Sequence, residues 1–184
     1  MSRPHAIPGS WGSGAHNRRL PALDLPAYNA AYRELAERRG LDAVQAARLI
    51  AMGNVVGADS LIACFDAKYR YLFWRPVFAI PGWTPLLPTP PHPEYPSAHS
   101  CLTFSQAAVL RRFLGTRRID VDLRSFPENP AMPVRHFTTT ADLKREIVDA
   151  RVWGGIHFRF SNEIGGELGS RVASWALDRF FRPA

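Results

Sequence analysis

Apolar residues recur at helical spacing through most of the chain, and proline and glycine punctuate the stretches between them. Asp24 can cap a first helix with Pro26 in its first turn, a short stripe of Ala27, Tyr28, Ala31 and Leu35, and Gly40 as its stop. A second helix begins near Asp42 and runs to about Trp74, where Pro76 ends it. Along it Ala46, Ile50, Gly53, Val56, Gly57, Ile62, Phe65 and Tyr69 make a wide apolar face with small residues. That is the pattern of a central bundle helix with neighbours on more than one side. Ser97 can cap a third, whose apolar positions run from Leu102 to Leu114 before Gly115. Thr139-Thr140-Ala141-Asp142 reads as a capping signal for a fourth, Ala141 to about Trp153, which Gly154-Gly155 interrupts. A last helix spans roughly Asn162 to Phe181; Gly165, Gly166 and Gly169 weaken it unless they permit close packing. Strand signals are poor, and the stretch from Thr116 to about Phe137, with Pro127, Pro130 and Pro133, reads as loop. The pattern predicts an all-α fold of about five helices with long proline-rich connections. Residues 1–25 read as an irregular lead-in, and 26–184 as one helical domain.

A hydrophobic content of 46% supplies a core, and 21% charged residues suit a chain that keeps much of its surface in water. No run of eighteen apolar residues occurs, so no membrane span is expected. Met1 to Leu20 holds no continuous apolar segment, so no signal peptide is readable and location stays open. Cys64 and Cys101 both sit in apolar helical patterns and read as buried thiols, not a disulfide framework. The net charge is +7 and the pI about 10.1. Part of it is a cluster, Arg111, Arg112, Arg117 and Arg118, which reads as a solvated helix end whose cations complement the dipole near Gly115. No nucleic-acid motif accompanies it, so no nucleic-acid partner is expected, whereas an oxyanion ligand suits a basic chain.

Three islands carry the candidate chemistry. Six prolines between positions 85 and 96 make a stiff approach to Ser97-Ala98-His99. Beyond it lies a helix N-terminus whose free N–H groups and dipole favour an oxyanion, with His99 in the first turn. The bland alternative is an ordinary helix start with a solvated histidine. Lys68 and Arg75 lie seven apart, on the same side of one helix, and either aim two charges inward or snorkel at a helix end. Arg151 and His157 flank the Gly154-Gly155 break, which can aim both at one point. Alternatively they are a surface arginine and a core histidine.

Together the islands read K-x6-R-P, P-S-A-H and R-x5-H, in that order. This resembles the three-part signature of the vanadium-dependent haloperoxidase and type-2 phosphatidic acid phosphatase family. From about residue 40 to 170 the likeness is closest to the haloperoxidase-like branch, through D-A-K-Y-x-x-x-F-W-R-P, P-H-P-E-Y-P-S-A-H and G-G-I-H-F-R-F. The resemblance implies that family's helical bundle. It implies that Lys68, Arg75 and Arg151 bind the oxygens of vanadate or phosphate, helped by the Ser97 hydroxyl and the Ala98 backbone N–H. His157 becomes the axial vanadium ligand of a peroxidase or the phosphohistidine nucleophile of a phosphatase, and His99 the acid–base residue. Lys68 would also polarise peroxide, and His92 would stand beside a halide pocket, as in bromoperoxidases.

The activity so implied is oxidation of halide by hydrogen peroxide with vanadate as cofactor. The runner-up is an acid phosphatase acting on a phosphate ester, with His99 as general acid. A third reading is a truncated, inactive oxyanion-binding or dimerisation module. Two departures stand out. Ser161 occupies a position where the family commonly has an Asp that orients the histidine at 157, with Glu163 the candidate substitute, and Ala98 replaces a usual glycine. Family members are also longer, so 26–184 is expected to correspond to their C-terminal half, with apolar faces left for a homodimer partner or a missing N-terminal half.

Overall fold

Asp24 accepts from the Ala27 N–H at 3.0 Å and caps α1 (Leu25–Arg39), which stops at Gly40 with φ of 60°. This is the first element of a computed structural model that describes residues 24–125 and 133–182. The predicted lead-in lies outside the described residues except for its last two positions. Asp42 and Gln45 form a reciprocal capping box at the start of α2 (Ala43–Tyr71). Ser97 caps α4 (Ala98–Leu114), Thr139 caps α5 (Thr140–Trp153), and α6 (Arg159–Phe180) closes the chain. A single helical turn, α3 (Pro76–Ala79), follows α2.

The second helix ends sooner than its pattern predicts. Leu72 takes the left-handed conformation, with φ of 49°, and Arg75 is extended because the ring of Pro76 disfavours a helical residue before it. Arg75 therefore does not share a helix with Lys68, contrary to the spacing argument. A second correction falls between α4 and α5. There β1 (Arg118–Arg124) pairs antiparallel with β2 (Val134–Thr139), where a loop was expected. Ile119, Val121 and Leu123 are 0–1% exposed and alternate with charged residues, the period of a half-buried strand. Asp120, at φ of 51°, lies in the register shift between Arg118 and Val121. The fold class remains a helical bundle, with one two-stranded ribbon among the described residues.

The helix α4 packs against α2, α5 and α6, while α1 and the ribbon cover the far side. Tyr28, Tyr32, Leu35, Leu49, Met52, Val56 and Leu110 fill the core. The phenol of Tyr28 donates to Thr103 at 2.9 Å, and that of Tyr32 donates to Gln106. Only part of the expected apolar face of α2 is buried: Val56 is, but Ile62 is 69% and Tyr69 59% exposed. The helical stretch Ala43–Ala79 is long and apolar enough to cross a membrane by length and composition, and a core helix passes the same measure. Cys64 and Cys101 are buried and free.

Glycines set the spacing of α4 and α6. A Cβ at Gly169 would lie 1.9 Å from the carbonyl oxygen of Cys101, and one at Gly165 would lie 2.5 Å from that of Ser97. Backbone meets backbone here, which answers why a helix carries these glycines at all. The arginine cluster lands elsewhere. Arg112 pairs with Asp178, while Arg111, Arg117 and Lys144 help line a groove of about 590 Å³ that none of the three islands touches.

Candidate oxyanion site

The proline-rich connection binds the other two islands together. Leu86 and Leu87 both donate to the carbonyl of Gly154 (3.0 and 3.1 Å), and the indole of Trp83 donates to that of Gly155 (2.9 Å). Gly155 has φ of 75°, and a Cβ there would sit 2.9 Å from Pro85, so a side chain is excluded twice. This turn swings the chain from Arg151, in the last turn of α5, to His157 just before α6. Ser97 donates its N–H to the Ser161 carbonyl at 3.0 Å, fixing the start of α4 against the start of α6.

Lys68, Arg75, Ser97, Arg151 and His157 are all buried, and His92, Ala98 and His99 are half-buried. Lys68 Nζ donates to the carbonyls of Pro93 (2.7 Å) and Glu94 (3.0 Å). Arg75 spans the gap between two islands. Its Nε donates to the His92 carbonyl (3.2 Å), and its Nη1 to the Ile156 carbonyl and to His157 Nε2, both at 2.9 Å. Nη2 lies 3.1 Å from His92 Nδ1. Both cations are turned inward as one of the two spacing readings has it, but the guanidinium reaches in from an extended residue, not from a helix face.

Burial weakens every one of these charges. It brings the Lys68 ammonium down to about 8, with the Arg75 charge adding to the shift and Cys64 and Glu94 opposing it. Arg75 and Arg151 fall to about 10, again through burial. Burial, then the Arg151 charge and His157, hold His99 well below the usual imidazole range. Burial followed by Arg75 and Lys68 does the same to His157. Lys68, Arg75 and Arg151 are buried cations, and the Glu94 carboxylate is buried beside His157. Such a set of charged donors fits an anion with several oxygens. A vanadate ion matches that set: cations for its oxygens and one imidazole nitrogen for its centre.

The Lys68 shift has a testable sign. The ammonium loses its charge as pH rises through about 8, while Arg75 and Arg151 stay charged. Molybdate, a dianion across this range, should bind about tenfold more weakly at pH 9 than at pH 7. Titration calorimetry of wild type and Lys68→Met checks this. A flat wild-type profile would remove Lys68 from the cradle.

The residue that the sequence argument missed is Glu94. It is 0% exposed, and its Oε1 lies 2.8 Å from His157 Nδ1 and accepts the Phe158 N–H at 3.0 Å. Ser161 does not reach His157; its hydroxyl donates to the Glu94 carbonyl at 3.4 Å. Glu163, the other candidate for that task, is exposed. The available signal was an acid inside the quoted P-H-P-E-Y-P-S-A-H string, in a segment too rich in proline to be a solvated helix face.

The helical bundle thus brings a buried arginine and a buried histidine into contact. The chain belongs to the family described as the VCPO second helical-bundle domain, whose model matches residues 81–183, more than half of its length. That match includes Ser97, His99, Arg151 and His157 and begins after Lys68 and Arg75. The vanadium chloroperoxidase of Curvularia inaequalis is 27% identical over 169 residues, covering 62% of this chain and 28% of that protein. A bacterial vanadium-dependent iodoperoxidase is similar in structure, with a TM-score of 0.73 and 29% identity over 79% of this chain and 36% of the other. An apo bacterial vanadium-dependent chloroperoxidase shares the fold at a TM-score of 0.62 and 22% identity, over 72% of this chain and 36% of that one. The chain therefore spans about a third of the length of these relatives.

Proposed function

We propose that this chain holds vanadate among Lys68, Arg75, Ser97, Arg151 and His157 and oxidises halide with hydrogen peroxide. The observation that carries the reading is the contact between Arg75 and His157 Nε2, which puts a buried cation and an imidazole nitrogen at one spot. Bound vanadate supplies a Lewis-acidic centre that activates peroxide toward halide attack. The protein's own part is electrostatic and geometric. Lys68, Arg75 and Arg151 would neutralise the oxygens, Ser97 and the Ala98 N–H would add hydrogen bonds, and His157 would offer the Nε2 lone pair. His99, in the first turn of α4, would serve as the acid–base residue once a bound anion offsets the Arg151 charge that helps hold its proton affinity down. His92, bonded to Arg75 and 5.2 Å from the Phe65 ring, stands at the rim where halide would arrive.

The same cradle suits a phosphate ester, with His157 as nucleophile. In that chemistry His99 would be the general acid that protonates the leaving alcohol. Titrating the protein with orthovanadate, then adding peroxide, bromide or iodide and a halogen-accepting dye, tests the reading. Halogenation that requires vanadate supports it. Ester hydrolysis blocked by vanadate would favour the phosphatase, and anion binding with neither activity would leave an inactive module. In an active protein, His92→Ala is expected to shift the bromide-to-iodide kcat/KM ratio more than it shifts vanadate affinity. An unchanged ratio would take His92 out of the halide pocket.

A further inference from the structure

We infer that Glu94 is the positioning residue of His157: opposite Arg75, its carboxylate receives the Nδ1 hydrogen and holds the ring so that the Nε2 lone pair faces the cation cradle. The inference deepens the proposed function and rests on it for what Nε2 meets. The tautomer follows from the two neighbours. A guanidinium only donates, so Nε2, 2.9 Å from Arg75 Nη1, must accept. Nδ1 then carries the hydrogen, and the acceptor 2.8 Å away is Glu94 Oε1. The same oxygen accepts the N–H of Phe158, the next residue, so one atom grips both the ring and the backbone of this turn.

The backbone of Glu94 is tied on both sides. Its N–H donates to the Phe73 carbonyl (2.9 Å), and its own carbonyl receives Lys68 Nζ (3.0 Å) and the Ser161 hydroxyl (3.4 Å). These ties fix the backbone that carries the carboxylate, and the carboxylate itself is held by His157 Nδ1 and the Phe158 N–H. Its second oxygen, Oε2, is buried with no hydrogen-bond partner among the described residues. Burial pushes this carboxyl up, opposed first by the Phe158 N–H and then by the charges of Arg75 and Lys68, which favour the ionised form. The carboxylate's charge, acting through Nδ1–H, makes Nε2 a stronger donor to whatever centre it meets.

The test needs the free protein first. Nitrogen-15 spectra of the histidine rings, with His157 assigned by its loss in His157→Gln, are expected to show Nδ1 protonated and Nε2 bare near neutral pH. Protonated Nε2 in wild type would overturn the inference, whatever any variant does. Glu94→Gln, nearly isosteric, leaves Arg75 opposite Nε2, so it is expected to keep the tautomer but to weaken orthovanadate binding 10- to 100-fold, with the melting temperature read alongside. Unchanged affinity in a folded Glu94→Gln protein would also overturn it. If wild type shows the tautomer but binds no vanadate, the proposed function fails while the tie between Glu94 and His157 stands.

Discussion

Replacing His157 with alanine is expected to abolish vanadate-dependent halide oxidation, leaving on the order of a thousandth of the wild-type rate or less. It removes the only buried imidazole nitrogen in direct contact with a cradle cation among the described residues. Three cations remain, so molybdate should still bind, though more weakly. Ester hydrolysis, if the protein performs it, should vanish as well, because that route needs the same lone pair. The substitution also leaves Glu94 with one hydrogen-bonded neighbour fewer, so a fall in stability of about 1–3 kcal/mol is expected. Thermal unfolding measured beside turnover separates the two effects. A folded His157→Ala protein with full activity would remove the mechanistic assignment.

Gly169→Ala is expected to damage the fold more than alanine at either of the other two glycines of α6. Its Cβ would fall 1.9 Å from the Cys101 carbonyl oxygen and 3.0 Å from the Cys101 Cα, both backbone atoms of α4. No rotamer can relieve that; the helices must part. Alanine gains about 1 kcal/mol over glycine in helix propensity, whereas forced overpacking costs about 1–3 kcal/mol and sometimes more. With the clash against backbone, the cost should exceed the gain by about 2 kcal/mol or more, a large share of a typical domain's stability. Gly166→Ala is the control, since its Cβ would meet the Phe104 ring, which can move. Urea unfolding of the three proteins reads the difference. Equal midpoints for Gly169→Ala and wild type would show that α4 and α6 do not touch as described.

The helices were legible because each carries its own punctuation. Asp24, Asp42, Ser97 and Thr139 cap where their spacing says they should, and Gly40 and Gly115 stop their helices in left-handed conformations. The glycines of α6 announced close packing, though not its partner. The ribbon was hidden by Pro127, Pro130 and Pro133, which outweighed the clear alternation of Ile119, Val121 and Leu123. Among site residues, the cations and histidines stood out through family motifs. Glu94 did not, because its partner lies 63 positions away and no local periodicity connects them. Arg75 shows the limit of helical spacing, which holds only while the helix lasts.

The ties between the proline-rich connection and the Gly154-Gly155 turn bear on how the protein breathes. A connection of this length and composition would ordinarily open and close on its own, far faster than the bundle unfolds. Here the amides of Leu86 and Leu87 share one carbonyl on the turn that leads to His157. Their exchange with solvent deuterium is therefore slaved to the opening of that turn. An anion that quiets the turn also quiets the connection, at residues it never touches.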